Sequence, residues 1–183
     1  MRILLIDNAD SFTRNLEHLL TVSMAGAEVR VEVGVVPYAG LPGLDPARAD
    51  LVVISPGPGR PEEYPGYDRI FEAGGPVLGV CLGMQIINQW RGGRTEPLPG
   101  CVHGRAEAID WAGERRRVAR YHSLHVSRVG RGLDVLARND AGVIMCLGSR
   151  ADRLLGYQFH PESFMTPDGG AFIAQALDFL GLA

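Results

Sequence analysis

Gly79-Val80-Cys81-Leu82-Gly83 is the segment from which the architecture of this chain can be inferred. It follows the short apolar run 76–80 and leads into residues 82–90, which have helical character. A nucleophile with a glycine two residues away on each side is typical of a nucleophile elbow, the sharp turn between a buried strand and a helix. The segment therefore predicts that Cys81 projects from the end of a strand and performs covalent chemistry on an acyl group.

The elements around this elbow predict an α/β fold. Apolar or alternating runs predict strands over residues 3–6, 28–33, 51–54 and 77–80. Helical spacing predicts helices over residues 16–24, 67–73, 82–90 and 171–180. Ser11 is the predicted N-terminal cap of the first helix and Gly26 its predicted end. This order of elements predicts an open, mainly parallel central sheet with helices on both faces.

Short strand-like segments dominate the second half of the chain. They cover residues 106–110, 117–121, 135–138, 143–147 and 154–159. Turn residues such as Asn139-Asp140-Ala141-Gly142 separate them, which predicts antiparallel hairpins. We interpret the basic run Arg115-Arg116-Arg117 as a solvated turn rather than a binding patch. Because the chain contains no repeat and no linker, we expect residues 1–183 to form a single domain.

The composition excludes several classes of function. Hydrophobic residues make up 46% of the chain and charged residues 21%, as in ordinary globular proteins, and the net charge of −3 argues against a nucleic-acid binder. No apolar run is long enough for a membrane span, and the N-terminus does not look like a signal peptide. Three cysteines without paired spacing predict neither a disulfide framework nor a zinc site. We therefore expect a cytoplasmic protein without a metal or other cofactor.

Three polar or glycine-rich segments follow the ends of predicted strands, namely residues 7–11, residues 55–60 and Cys81. Ligands of parallel sheets bind beyond the carboxyl ends of the strands, so we expect these segments to meet at one edge. The backbone amides of Gly57 and Leu82 are candidate donors to the oxyanion of an acyl intermediate. On its own, the turn Ser55-Pro56-Gly57-Pro58-Gly59 is better explained as a rigid connection, but its position directly after a buried strand makes a functional role an equally good explanation.

His160 is the strongest candidate for the base that activates Cys81, among the five histidines of the chain. It ends the predicted strand 154–159, and Glu162 lies two residues further on. Residues i and i+2 of an extended segment point in the same direction, so the Glu162 carboxylate could orient the imidazole. A strand-end histidine satisfied by the backbone is the alternative, which Glu162 and the elbow disfavour.

Five motifs in chain order resemble those of the class I (triad-type) glutamine amidotransferases and together span nearly the whole sequence. They are Asp7-Asn8-Ala9-Asp10-Ser11-Phe12-Thr13-Arg14-Asn15-Leu16, Ser55-Pro56-Gly57-Pro58-Gly59, Gly79-Val80-Cys81-Leu82-Gly83-Met84-Gln85, Arg120-Tyr121-His122-Ser123-Leu124 and Gly156-Tyr157-Gln158-Phe159-His160-Pro161-Glu162-Ser163. The Asp-Ser-Phe-Thr opening is most similar to the small subunits of anthranilate synthase and aminodeoxychorismate synthase.

The resemblance implies a flavodoxin-like core and a glutaminase that hydrolyses L-glutamine through a γ-glutamyl thioester on Cys81. His160 would be the base and Glu162 its orienting partner. Ammonia would pass to a chorismate-binding synthase large subunit in a hetero-oligomer. The positions implied to bind the substrate are Gly57, Pro58, Gly59, Leu82, Gln85, Ser123 and Leu124.

The chain departs from the family pattern in a few places. Relatives often have a histidine at Met84 and aromatic residues at Ala9 and Arg14. The segment Val102-His103-Gly104-Arg105 matches a family element only in part, and it implies an interface role for His103 rather than a chemical one. Tyr121 and His122 could line the pocket or only pack. Cys101 and Cys146 lack an elbow and are interpreted as packing residues.

Two other functions remain open from the sequence. One is an amidotransferase or γ-glutamyl amide hydrolase that serves another acceptor, and the other is a catalytically silent domain that binds a partner. The intact set of Cys81, His160 and Glu162 disfavours the silent domain. The sequence does not decide between anthranilate and aminodeoxychorismate as the product, because that choice belongs to the partner.

Overall fold

The computed structural model describes residues 1–24, 30–100, 104–111 and 113–182. Within these ranges the α-helices are α1 Thr13–Ser23, α2 Asp68–Glu72, α3 Leu82–Trp90 and α4 Gly169–Phe179. The strands are β1 Arg2–Asp7, β2 Glu32–Pro37, β3 Leu51–Ile54, β4 Val77–Val80, β5 Arg94–Pro97, β6 Arg105–Trp111, β7 Glu114–Arg120, β8 Leu124–Arg128, β9 Asp134–Arg138, β10 Ile144–Ser149 and β11 Leu154–Tyr157. Short 3₁₀ helices cover Tyr38–Gly43, Pro46–Arg48 and Pro61–Glu63.

The central sheet has seven strands in the order β2-β1-β3-β4-β11-β10-β9. The first five of these pair in parallel, whereas β10 is antiparallel to both of its neighbours. The strand order reverses at β1, which lies between β2 and β3. Ligands of such sheets bind beyond the carboxyl ends of the strands near this reversal. The predicted open, mainly parallel sheet is confirmed.

A hydrophobic core lies on each face of this sheet, because consecutive residues of a strand point to opposite faces. Leu51 and Val53 contribute to one core, together with residues of α1 and α4. Val52 and Ile54, from the same strand, contribute to the other core with residues of α2 and α3. The apolar runs of β3 and β4 are therefore explained by burial on both faces, which parallel strands require. Helices on both faces are confirmed as well.

The antiparallel second half is confirmed, although some of its details differ from the prediction. β6 and β7 form a hairpin, and β9 and β10 form another around the predicted turn at residues 139–142. The turn predicted at Arg115-Arg116-Arg117 is wrong, because these residues lie within β7, although Arg115 and Arg117 are exposed to solvent as expected. There Arg115 pairs with Asp110 and Asp140, and Arg116 pairs with Glu114 and Asp168.

Some local predictions in the first half are also wrong. β2 covers Glu32–Pro37 rather than residues 28–33, and it pairs with β1 in spite of Gly34 and Pro37. Residues 28 and 29, like Gly26, lie outside the described residues. Ser11 does not cap α1, whose N-cap residue is Phe12. The carboxylates of Asp7 and Asp10 accept the hydrogen bonds of this turn instead.

No helix within the described parts of the chain is both long enough and apolar enough to cross a membrane.

Candidate active site

Cys81 lies in the strained turn that its flanking glycines predict. Its φ of 54° and ψ of −103° are unusual for a residue with a side chain. The turn brings α3 so close to the sheet that a Cβ on Gly83 would lie 2.4 Å from the carbonyl oxygen of Ile54. A Cβ on Gly79 would lie 2.4 Å from the carbonyl carbon of Gly83. Both glycines are therefore required by the packing of α3 against β3 and β4.

The sheet brings Cys81 beside the segment that carries His160. β4 and β11 are parallel neighbours in which Val80 is opposite Tyr157, so the two strands end side by side. The backbone N–H of Cys81 donates to the carbonyl oxygen of Tyr157 over 2.6 Å. His160 lies three residues after Tyr157 and lines the same cavity as Cys81, and the interaction with Cys81 is one of the causes that raise the pKa of His160.

Glu162 holds the His160 imidazole from the other side. The distance from His160 Nδ1 to Glu162 Oε1 is 2.6 Å, and both side chains are buried. The contact agrees with the prediction, but β11 ends at Tyr157 and residues 161–162 form a turn rather than extended backbone. Burial alone would lower the pKa of His160, whereas Cys81 and Glu162 together raise this pKa well above its usual value. The arrangement therefore favours a charged imidazolium beside the sulfur.

Two aromatic rings enclose the imidazole. The ring centroids of Phe12 and Tyr121 lie 5.2 Å and 5.1 Å from that of His160. The Tyr121 hydroxyl is 3.0 Å from Ser163 Oγ, which ties this ring to the segment after Glu162. Both rings line the cavity in front of Cys81, so they limit access of water to the imidazole.

A buried network fixes the loop after β3. Asn8 donates its backbone N–H to Ser55 Oγ over 2.9 Å and its side-chain amide to the carbonyl oxygen of Ser55 over 3.0 Å. The Tyr67 hydroxyl donates to Asn8 Oδ1 over 2.6 Å. Burial raises the pKa of Tyr67, so this hydroxyl stays a neutral donor. A Cβ on Gly57 would lie 2.6 Å from Leu82 Cδ2 and 2.7 Å from Asn8 Cβ, so only glycine fits there.

These elements surround a cavity of about 210 Å³ in front of Cys81. All of the sequence-predicted site residues except Glu162 line it, namely Gly57, Pro58, Gly59, Cys81, Leu82, Gln85, Ser123, Leu124 and His160. Glu162 is buried behind His160. Asp10, Phe12, Tyr121 and His122 line the cavity too. Tyr121 and His122 thus line the cavity and also pack, Tyr121 against Phe12 and His122 against the carbonyl oxygen of Leu124.

The segment between β7 and β8 forms a further part of the cavity wall. Gln85 Nε2 lies 3.5 Å from the carbonyl oxygen of Leu124, which joins α3 to this segment. His122 Nδ1 lies 2.6 Å from the same carbonyl oxygen. Burial, together with the charge of Arg120, outweighs this hydrogen bond and lowers the pKa of His122 to about 4. His122 is therefore neutral at physiological pH.

A buried ion pair supports this segment from below. Arg120 pairs with Glu107 of the neighbouring strand β6, and their side chains are only 10% and 20% exposed. The amide of Asn139 donates to the second Glu107 oxygen over 2.7 Å. The end of β7 also reaches the catalytic segment directly, because His160 donates its backbone N–H to the carbonyl oxygen of Ala119 over 3.1 Å.

Sequence reasoning missed several residues that shape this site. Asn8, Tyr67 and Gln158 are buried near it, and Asp10 and Phe12 line the cavity. All of these except Tyr67 lie within the motifs quoted above, so their place in a motif could have indicated a role in the site. Tyr67 lies outside every motif, and nothing in the sequence indicated a role for it.

The departures from the family pattern have simple structural settings. Met84 is buried against Gly156, where a Cβ would lie 2.4 Å from Met84 Cγ. Ala9 has a φ of 61°, and Arg14 is exposed and paired with Glu17. Cys146 is fully buried in β10, which raises the pKa of its thiol well above the usual value and agrees with a packing role. Cys101 and His103 lie outside the described residues.

Among the described residues, no group of three or more histidine, cysteine or acidic side chains could hold a metal ion.

Comparisons with known proteins agree with this geometry. The family model "Glutamine amidotransferase class-I" matches residues 4–179. Anthranilate synthase component 2 of Helicobacter pylori is 37% identical, over 98% of each chain. The pyocyanine-specific component 2 of Pseudomonas aeruginosa is 41% identical, over 99% of this chain and 95% of that protein. Aminodeoxychorismate synthase of Streptomyces griseus is 43% identical over 97% of this chain but only 26% of its own length.

The fold also matches a crystal structure. A Thermoplasma acidophilum protein described as one subunit of a GMP synthase superimposes with a TM-score of 0.77 over 99% of this chain and 94% of its own. The two sequences are 19% identical, so this match supports the fold alone.

Proposed function

Because this chain belongs to the class-I glutamine amidotransferase family, we propose that it hydrolyses L-glutamine and supplies the ammonia to a chorismate-binding synthase partner. The observation that carries this proposal is the set of interactions that joins Cys81 to His160 and His160 to Glu162, with Cys81 and His160 on the wall of one cavity. Two relatives that this chain covers over 98% and 95% of their length are named component 2 of anthranilate synthase, which supports the supply of ammonia to such a synthase.

In the proposed reaction the Cys81 thiolate attacks the side-chain carboxamide carbon of glutamine. The backbone amides of Gly57 and Leu82 stabilise the oxyanion of the tetrahedral intermediate. The imidazolium of His160 then gives its proton to the departing ammonia, which leaves a γ-glutamyl thioester on Cys81. Water attacks this thioester, His160 takes up the water proton, and glutamate is released with the thiolate restored.

The other residues of the cavity have roles in binding under this proposal. Gly57, Pro58, Gly59 and Gln85 line the cavity from the segments that follow β3 and β4, and Ser123 and Leu124 line it from the segment that follows β7. These residues offer backbone groups and one amide side chain, which suit the charged amino-acid end of glutamine. A space of about 210 Å³ suits a small amino acid. Because a free thiolate is needed, we expect the protein to work in the reducing cytoplasm.

The central test separates ammonia production from ammonia use. The protein is purified with its synthase partner, and product formation from chorismate is measured with glutamine or with ammonium salt. Cys81→Ser should reduce the glutamine-dependent rate by more than about a thousandfold and leave the ammonium-dependent rate unchanged. Equal loss of both rates would refute the proposed role of Cys81.

Two additions complete this test. Glu162→Gln should reduce the glutamine-dependent rate less than His160→Ala, because the orienting member of a triad contributes least. Identification of the product as anthranilate or aminodeoxychorismate assigns the pathway, since that choice lies in the partner. If the wild-type chain hydrolyses another γ-glutamyl amide but not glutamine with any chorismate-binding partner, the proposed substrate is wrong.

A further inference from the structure

Gln158 is a fully buried amide side chain that has no part in the reaction steps proposed above. It follows β11 directly, and its backbone N–H donates to the carbonyl oxygen of Met145 over 2.9 Å. An amide without water must find hydrogen-bond partners, so an apolar residue would be less costly at such a position. The partners of the Gln158 side chain therefore indicate what this residue does.

Both of its partners belong to the proposed site. Gln158 Nε2 lies 3.7 Å from Cys81 Sγ, and Gln158 Oε1 accepts a hydrogen bond from Gln85 Nε2 over 3.1 Å. The amide of Gln85 also lies 3.5 Å from the carbonyl oxygen of Leu124. One chain of polar contacts thus runs from Cys81 through Gln158 to Gln85, and from Gln85 to the carbonyl oxygen of Leu124.

The directions of these hydrogen bonds define two tasks. An amide nitrogen can only donate, so Gln158 presents an N–H donor to the sulfur, which is suited to hold a thiolate. The two N–H groups of Gln85 are directed at Gln158 and Leu124, so the group that Gln85 offers the cavity is the acceptor Oε1. An acceptor at this place matches the α-ammonium of a free amino acid.

We propose that Gln158 is a positioning residue that holds the Cys81 sulfur as a thiolate and fixes the direction in which the Gln85 amide meets the substrate. For its substrate, the inference rests on the proposed function. Under this proposal one buried amide determines both how readily the Cys81 thiol ionises and how tightly glutamine binds.

Two substitutions separate the two tasks. Gln158→Met keeps the length and volume of the side chain but removes both the donor and the acceptor. Gln158→Glu keeps an acceptor for Gln85 but replaces the donor beside Cys81 by a negative charge. Gln175→Met is the matched control. Gln175 lies on α4, its side-chain amide accepts a hydrogen bond from Trp111 of β6, and it does not line the cavity.

The first measurement needs neither glutamine nor the partner. The rate of alkylation of Cys81 by iodoacetamide is followed against pH in the purified chain, with the peptide that contains Cys81 identified by mass. The pH midpoint of this reaction should rise by about one unit in Gln158→Met, because a hydrogen bond to the charged sulfur is lost. It should rise further in Gln158→Glu and stay unchanged in Gln175→Met.

The variants leave the other titratable groups at the sulfur in place. These groups are His160, which interacts with Cys81, and Glu162, which accepts the hydrogen bond of His160. Asp10, Tyr121 and His122 also line the cavity. A shift of the midpoint therefore reports the change at Gln158. A merely structural role of Gln158 would lower the thermal stability without moving this midpoint.

The second measurement uses the complex with the synthase partner and glutamine as substrate. The KM for glutamine should rise about tenfold in Gln158→Met, because the Gln85 amide is no longer held in one direction. It should stay within about threefold of wild type in Gln158→Glu, whereas kcat falls. Unchanged alkylation midpoint and KM in a folded Gln158→Met chain would overturn the proposal.

If Gln158→Met does not fold, Gln158→Glu alone decides. An unchanged alkylation midpoint in that variant overturns the role at the sulfur, and a tenfold rise of KM overturns the role at Gln85. The alkylation result stands whether or not glutamine is the substrate. Failure of the proposed function would instead appear as absence of glutamine hydrolysis by the wild-type complex.

Discussion

The two walls of the cavity are built by different means. The sheet wall, defined as residues 57–59, 81–82 and 85, follows the ends of β3 and β4 and is fixed by backbone geometry. Its turn at Cys81 depends on a positive φ and on glycines without room for a Cβ. The hairpin wall, defined as residues 121–124, follows β7 and is supported by buried polar side chains. The sheet wall therefore tolerates almost no added atoms, whereas the hairpin wall depends on charge and hydrogen bonding.

The largest effect is expected from an added methyl group in the sheet wall. In Gly83→Ala the new Cβ would lie 2.4 Å from the carbonyl oxygen of Ile54, and backbone cannot move aside cheaply. We expect the free energy of unfolding in urea to fall by about 3 kcal/mol. The glutamine-dependent rate should fall by about a hundredfold, because Cys81 is displaced.

Gly75→Ala is the matched control for this substitution, because nothing lies within 4 Å of its Cβ position. It should change neither stability nor activity. If Gly83→Ala were tolerated as well as this control, the sheet wall would not be fixed by close packing.

The second effect tests the charge on which the hairpin wall depends. Glu107→Gln removes the partner of the largely buried Arg120 and should cost about 2 to 3 kcal/mol in the free energy of unfolding. Because the damage lies under the hairpin wall, KM for glutamine should rise while the alkylation of Cys81 stays unchanged. The exposed pair of Arg115 and Asp140 provides the control, and Asp140→Asn should have no measurable effect. Equal effects of the two substitutions would contradict the importance of burial.

The contrast between the walls also explains which parts of the structure could be predicted from the sequence. β3, β4 and the Cys81 elbow leave local signals, namely an apolar run and two spaced glycines, because their geometry depends on adjacent residues. β5 was missed because it is neither an apolar nor an alternating run, and β8 because its alternation is limited to Leu124 and Val126. They pair with each other across about 30 residues of chain, so long-range contacts rather than local preference stabilise them.

The same reasoning applies to individual residues of the site. His160 and Glu162 lie in one short motif whose spacing indicates their contact, whereas Cys81 comes close to them because β4 and β11 are neighbours in the sheet. The support of the hairpin wall comes from Glu107 and Asn139, which lie on other strands and have no local pattern. The turn at residues 161–162 also differs from the extended segment that the i, i+2 argument assumed. The contact between His160 and Glu162 was predicted, but the turn in the backbone that brings them together was not.

The third effect is a pH dependence of stability that belongs to the hairpin wall. His122 has a pKa of about 4 in the folded protein and about 6.5 when unfolded, so between these values only the unfolded chain takes up the proton. Stability is therefore lost as pH falls from about 6.5 towards 4, and the loss should reach about 2 kcal/mol at pH 5. His122→Asn should show a correspondingly smaller fall in the free energy of unfolding between pH 7 and pH 5. Equal slopes for both proteins would show that His122 does not titrate in this way.

The smallest effect concerns the loop of the sheet wall at residues 57–59, which depends on the side chains of Asn8 and Tyr67. Tyr67→Phe removes the hydroxyl that binds Asn8 Oδ1 and leaves this buried acceptor without its donor. We expect a loss of about 1 kcal/mol in the free energy of unfolding. The kcat for glutamine should fall a few-fold, because Asn8 holds the loop that presents the Gly57 amide.

Tyr38→Phe is the natural control for that substitution, since Tyr38 stacks on Tyr67 but donates its hydroxyl to the carbonyl oxygen of Pro65, outside the network. It removes a hydroxyl of the same kind from the same aromatic cluster. If both variants reduce kcat equally, the aromatic cluster rather than the Asn8 network positions the loop. If only Tyr67→Phe does so, the sheet wall also has a side-chain support, and the difference between the two walls is one of degree.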